Sequence, residues 1–111
     1  MFSLSLDYYP AEGLIKGGCY LDDGPLNGGG RMLRGKDTRL KNNSPSECEK
    51  YCKGYKYFAL QDSTQCFCGN NLRAPLIQKP WNECNSWCRG KSGRKCGGSW
   101  RNNLYLSGSA R

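Results

Sequence analysis

The chain has 111 residues, with 17 lysines and arginines against nine acids for a formal net charge of +8, and it carries eight cysteines, 15 glycines and no histidine. A domain this small, at a mean hydropathy of -0.77, lacks the apolar surface of an ordinary core, and an even cysteine count in so short a chain points to a disulfide framework made outside the cytosol. Without histidine there is no Ser-His-Asp or Cys-His nucleophile and no Cys2His2 zinc site; paired carboxylates are the remaining catalytic route, and none of the nine acids sits in a motif that demands one.

Residues 1–15 contain no cysteine and are expected to be an N-terminal extension, either a strand in which Phe2, Leu4 and Leu6 share a face or a tether. The start lacks a basic flank and meets Asp7 early, so it reads as a mature segment or an excised domain with an added Met, not as a secretory signal. No apolar run approaches the roughly 20 residues needed to span a bilayer. Residues 22–30 are rich in Gly, Asp, Asn and Pro and are expected to form an exposed loop. Ser44-Pro45-Ser46-Glu47 has the form of a helix entrance, with Ser44 as N-cap and Pro45 at the first helical position; the helix should run to about Lys53 and stop at Gly54. On it Cys48 and Cys52, four apart, share a face.

Residues 57–68 read as two strands joined by a turn near Asp62 to Thr64, and Cys66 and Cys68, two apart on a strand, point to one side. Two same-face thiols on a helix opposite two on a strand would clamp helix to sheet. A second helical piece is expected over residues 82–88, where Cys84 and Cys88 repeat the four-residue spacing. A basic loop over residues 89–95 follows, and residues 103–107 make a closing strand with Leu104 and Leu106 on one face. The main domain is expected to span residues 16–107, leaving 108–111 as a tail.

In chain order stand Gly18-Cys19-Tyr20, Arg31-Met32-Leu33-Arg34-Gly35, Ser46-Glu47-Cys48 with Cys52 four residues on, and Tyr57-Phe58-Ala59-Leu60-Gln61. The second half adds Cys66-Phe67-Cys68-Gly69-Asn70, Glu83-Cys84 with Cys88 and Gly90, and Cys96-Gly97-Gly98 followed by Arg101 and Tyr105. This series resembles the WSC domain, a family named for yeast cell-wall stress sensors that also occurs in kremen and polycystin. The resemblance covers about residues 16–107, with all eight cysteines in family order. It implies a small disulfide-rich α+β domain in which an antiparallel β-sheet packs on one main helix, with long ordered loops. It also implies the disulfides Cys19 to Cys84, Cys48 to Cys66, Cys52 to Cys68 and Cys88 to Cys96, two of which would be the helix-to-strand clamp. Finally it implies binding of β-glucans and other cell-wall polysaccharides through exposed aromatics. Ala59, Trp100 and Asn102 depart from the residues usual in the family, which bears on the ligand more than on the fold.

An aromatic ring can cover the C–H face of a pyranose while nearby amides and guanidiniums take its hydroxyls. Phe58, Phe67 and Tyr105 fall inside strand patterns beside cysteines and are expected in the core, as is Trp87 between two cysteines. Trp100, set among Gly97, Gly98 and Ser99, and Trp81, which follows Pro80, obey no apolar periodicity and are the leading sugar platforms, with Tyr57 behind them. Arg101, Asn102 and Asn103 are expected to bond hydroxyls. No acid follows Glu83, so Arg89, Lys91, Arg94 and Lys95 form a candidate polyanion patch for an acidic or sulfated glycan; a second basic cluster holds Arg31, Arg34, Lys36, Arg39 and Lys41. Nucleic acid is not expected as a partner of an exported, disulfide-bonded chain. The cysteine spacings are poor for zinc and Asp22-Asp23 lacks a calcium loop's regularity, so neither metal nor cofactor is expected. Asn42-Asn43-Ser44 is an N-glycosylation sequon. The expected protein is a secreted or extracellular, non-catalytic polysaccharide-binding module, monomeric and part of a larger protein at a cell surface or wall. Two alternatives are a protein-interaction or structural module of a receptor or sensor, and a basic polyanion binder.

Overall fold

A computed structural model describes residues 16–22, 31–73, 76–91 and 93–108. The N-terminal extension, most of the glycine-rich loop and the end of the tail lie outside the described residues. Five strands, β1 (Lys16–Leu21), β2 (Lys36–Arg39), β3 (Tyr57–Gln61), β4 (Gln65–Gly69) and β5 (Arg101–Leu106), form one sheet in the order β1-β5-β3-β4-β2. Every pairing is antiparallel. The closing strand is therefore internal to the sheet, between the first and third strands, and begins two residues earlier than its apolar pattern indicates.

The main helix α1 (Pro45–Tyr51) starts as the sequence requires: Glu47 N–H donates to the Ser44 hydroxyl at 3.1 Å, and Pro45 occupies the first turn, where its missing N–H costs nothing. It ends slightly short of Lys53, with Cys52 as C-cap and Gly54 at φ +95° turning the chain away. The β3–β4 hairpin closes over Asp62, Ser63 and Thr64, with Gln61 opposite Gln65. Asp62 and Ser63 hold left-handed φ values of 49° and 71°, a conformation that non-glycine residues keep only when neighbours fix it. Here Asn43 Nδ2 donates to the Ser63 carbonyl at 3.1 Å, and Ser63 Oγ donates to the Trp87 carbonyl at 2.6 Å.

Strand alternation divides the core between the two sheet faces. Phe58, Leu60, Cys66, Cys68 and Tyr105 face α1 and pack with Cys48 and Cys52, and Phe58 stacks on Tyr105 with ring centroids 5.0 Å apart. Ala59, Phe67 and Leu104 face the other way and pack with Tyr20, Met32 and Leu33. A sheet covered on both faces explains why residues 58–60 are all buried although they lie on one strand. Phe58, Phe67 and Tyr105 thus sit in the core, and Leu104 and Leu106 share a side.

The disulfides are Cys19–Cys84, Cys48–Cys66, Cys52–Cys68 and Cys88–Cys96, with no free cysteine. The sulfurs of Cys48, Cys52 and Cys66 lie within 4.8 Å of one another because two bridges run side by side from α1 to β4. The second helical piece is shorter than its cysteine spacing implies: a single 3-10 turn, Trp81–Glu83. Beyond Cys84 the backbone pairs across instead of coiling, with Ser86 N–H on the Gly97 carbonyl at 2.8 Å and Cys88 N–H on the Arg94 carbonyl at 3.0 Å. Cys84 and Cys88 serve different partners, so they need no common helical face.

Asp22 is not part of an exposed loop. It is fully buried, and its carboxylate accepts from Met32 N–H at 2.7 Å, Gln61 Nε2 at 2.7 Å and Arg31 Nη1 at 2.9 Å. Three donors offset the cost of taking the charge out of water. Burial also pushes the Tyr20 phenol above its ordinary value of 10.0.

Candidate functional site

All three tryptophans lie at the surface, Trp81 at 82% exposure, Trp87 at 57% and Trp100 at 50%, while Phe58, Phe67, Tyr20 and Tyr105 fill the interior. Trp87 is therefore a surface residue, not a core one: with the second helical piece ending at Glu83, its backbone bridges to Lys95 and its ring turns outward.

The three rings differ in what already covers them. Trp87 is capped by the Lys95 ammonium, 3.5 Å from the ring centroid. Trp100 stands in a tight turn at φ 57°, between Gly98 and Arg101, whose backbones bond to each other. One side of its indole meets the Arg31 guanidinium at 4.6 Å, and Arg31, held by buried Asp22, also lies 5.2 Å from the Phe67 ring. Trp81 has no aromatic or cationic contact on its ring among the described residues. It is presented by the 3-10 turn, whose Glu83 carboxylate receives Arg101 Nε at 2.7 Å.

Trp81 forms one wall of a cleft of about 310 Å³ whose lining also includes Lys16, Gly17, Arg94, Lys95, Asn103 and Tyr105. Gly17 sits at φ +105° where β1 slips register against β5, and a Cβ there would meet the Tyr105 hydroxyl at 3.0 Å, so glycine lets the strand close over the ring. Among the described residues no carboxylate pairs with Lys16, Arg94 or Lys95.

The remaining sequence-predicted residues divide: Asn103, Arg94 and Lys95 line the Trp81 cleft, and the others do not. Arg101 ties the 3-10 turn to β5 and also donates to the Trp100 carbonyl at 3.2 Å. Asn102 and Asn103 are 1% and 8% exposed and bond within the protein, which withdraws their side chains from the surface. Asn102 Oδ1 accepts from Gln61 Nε2 at 2.9 Å; Asn103 accepts from Gly97 N–H at 2.6 Å and donates to the Gly17 carbonyl at 2.7 Å. Tyr57 is half-buried, paired with Leu106 at the far end of β5 from Trp100, roughly 17 Å along the strand. The basic patch divides too: Arg94 and Lys95 join the Trp81 cleft, whereas exposed Arg89 and Lys91 flank Gly90, whose N–H bonds to the Asn43 carbonyl. Lys16 escapes sequence reasoning because its place beside Trp81 comes from the β1–β5 register, which brings it opposite Tyr105.

No described helix is long and apolar enough to cross a membrane. Residues 17–98 match the WSC domain family profile. A WSC domain-containing protein of Arthroderma benhamiae is 35% identical over 79% of this chain and 12% of its own length. A second from the same fungus is 36% identical over 90% of this chain and 11% of its own. The Xylosyltransferase oxt of Drosophila pseudoobscura pseudoobscura is 36% identical over 85% of this chain and 11% of its own. The chain thus spans about a tenth of the length of these relatives. With the profile matching well over half of the residues and the cysteine framework fully paired, the chain belongs to the WSC domain family.

Proposed function

We propose that residues 16–107 form a non-catalytic, extracellular carbohydrate-binding module that holds a polysaccharide against Trp81. The observation that carries this reading is a tryptophan 82% exposed at the wall of a cleft whose cationic side chains have no acid partner among the described residues. Leaving so large an apolar surface in water is a cost that a partner would remove. Family membership supports carbohydrate binding in general terms, and the likeness to a segment of a protein named as a xylosyltransferase supports a setting in which glycans are handled. Stacking one sugar on one ring gives weak affinity, micromolar to millimolar, which a polymer raises by repeated engagement. Trp100, with one side taken by Arg31, is a second platform, and Arg101 positions both turns.

Calorimetry against β-glucan, xylan and chitin oligosaccharides and a uronate-bearing oligosaccharide tests the assignment. Trp81→Ala should lose roughly tenfold in affinity, about 1.4 kcal/mol, while Trp87→Ala, whose ring is already capped by Lys95, should lose less than threefold. Unchanged binding by Trp81→Ala would exclude this face. Lys16, Arg94 and Lys95 favour a second reading in which the preferred polysaccharide is acidic; binding then weakens steeply with salt, whereas stacking of a neutral chain hardly responds.

A further inference from the structure

Toward the other edge of the sheet, beside the starts of β2 and β3 and the end of β4, a smaller cleft of about 280 Å³ is lined by Arg34, Gly35, Tyr55, Asn70, Asn71 and Arg73. It lies just under the roughly 300 Å³ at which small-molecule sites begin, a size for one sugar unit. Both arginines are anchored to one short segment: Arg34 Nε donates to the Arg31 carbonyl at 3.3 Å, and Arg73 N–H donates to the Met32 carbonyl at 3.1 Å. Neither guanidinium has a carboxylate partner among the described residues. The acid closest to this lining in the chain, Asp37 on β2, is exposed and makes no ion pair with either arginine among the described residues.

The lining supplies more than charge. Asn70 Oδ1 accepts from Lys56 N–H at 2.9 Å, which fixes the amide and leaves Nδ2 without a protein partner among the described residues. The Tyr55 ring lies against Gly35 so closely that a Cβ on Gly35 would run into the ring and come within 2.7 Å of the Cys68 carbonyl. Lys36, whose ammonium lies 4.2 Å from the Tyr51 ring centroid and 6.0 Å from that of Tyr55, stands outside the lining. Two arginines lining one cleft suit a carboxylate or sulfate, since a guanidinium engages such an anion through two of its oxygens; a half-buried ring and the Asn70 amide protons suit the sugar that carries it.

We propose that this cleft is a second glycan site, selective for an acidic saccharide through its carboxylate or sulfate, and separate from the Trp81 cleft. NMR titration of the isotope-labelled protein tests it with four probes at equal ionic strength: a sulfated tetrasaccharide, an oligogalacturonate, a neutral β-glucan tetrasaccharide and inorganic sulfate. The Asn70 and Asn71 side-chain amides should shift with one or both acidic saccharides, and which of the two acts identifies the anion. Arg34→Gln combined with Arg73→Gln should weaken that response at least fivefold while the Trp81 indole signal behaves as in the parent. In Trp81→Ala the amide response should persist, so loss of one site leaves the other readable. Amides unmoved by both acidic probes would overturn the proposal. So would an equal response to the neutral sugar or to inorganic sulfate, or a response unchanged in the double variant while its remaining spectrum shows a native fold.

Discussion

At the scale of single residues, the positions that matter most are those where backbone and charge leave no slack. Gly97 has φ +72°, and a Cβ there would run into the Leu60 carbonyl and come within 2.6 Å of the Arg101 carbonyl. Gly97→Ala should therefore cost about 3 kcal/mol, from strain and backbone displacement together, and denaturant unfolding would show it; a cost under 1 kcal/mol would contradict the packing described. Asp22→Asn should lose a similar amount, about 3 kcal/mol, because the amide cannot accept from all three donors and leaves Arg31 without its counter-charge. Tyr20 titrates above the unfolded phenol value of 10.0. Between the unfolded and folded values the folded chain holds one more proton, so stability is complete below about pH 10 and falls as pH rises through that window. Ultraviolet titration of the Tyr20 phenol should place its ionisation above 10.0.

Residue roles were the least legible part of the sequence. Trp81 and Trp100 could be singled out as rings without a periodic partner, but their ranking could not. The sandwich of Arg31 against Trp100 joins residues far apart in the chain. Asn102 and Asn103 look like surface amides beside a tryptophan, yet β5 is internal to the sheet, and burial there makes them fasteners for Gln61, Gly97 and Gly17. Asp22, at the head of a glycine-rich run, carries no local sign that Met32 and Gln61 come to it.

At the scale of elements, local chemistry was the better guide. The helix entrance at Ser44 and the hairpin turn at Asp62 to Thr64 are encoded by nearest neighbours, and both form where expected. Ser44→Ala should cost about 1 kcal/mol, since Glu47 N–H loses its acceptor, and a thermal midpoint equal to the parent's would show the cap to be idle. Two strands give no such signal. β2 is Lys36-Asp37-Thr38-Arg39, an edge strand whose polar side chains have no apolar alternation and whose charges discourage pairing with another chain. β1 opens with lysine and two glycines, and its outer edge is covered by residues 77–79, where Leu21 N–H reaches the Ile77 carbonyl and Lys79 N–H the Cys19 carbonyl. The second helical piece forms but stops at Glu83 for a related reason: equal cysteine spacing arises equally from a helix and from an extended segment whose cysteines bond elsewhere.

At the scale of the whole molecule, four covalent ties compensate for a modest apolar interior. Their worth should follow the length of chain each closes. Cys19–Cys84 spans 65 residues and should contribute about 4 kcal/mol in the chain-entropy account, against about 2.5 kcal/mol for Cys88–Cys96, which spans 8. Replacing each pair by alanine and comparing unfolding free energies checks the order; equal losses would mean that native contacts, not chain entropy, set the values. This framework lets the tryptophans remain outside. The stacking of a sugar on Trp81 is read most directly from its indole Nε1–H resonance, followed through an oligosaccharide titration. This signal should shift progressively to saturation while the amides of buried Phe58 and Leu60 stay still. Saturable glycan binding with the Trp81 indole unmoved would contradict it.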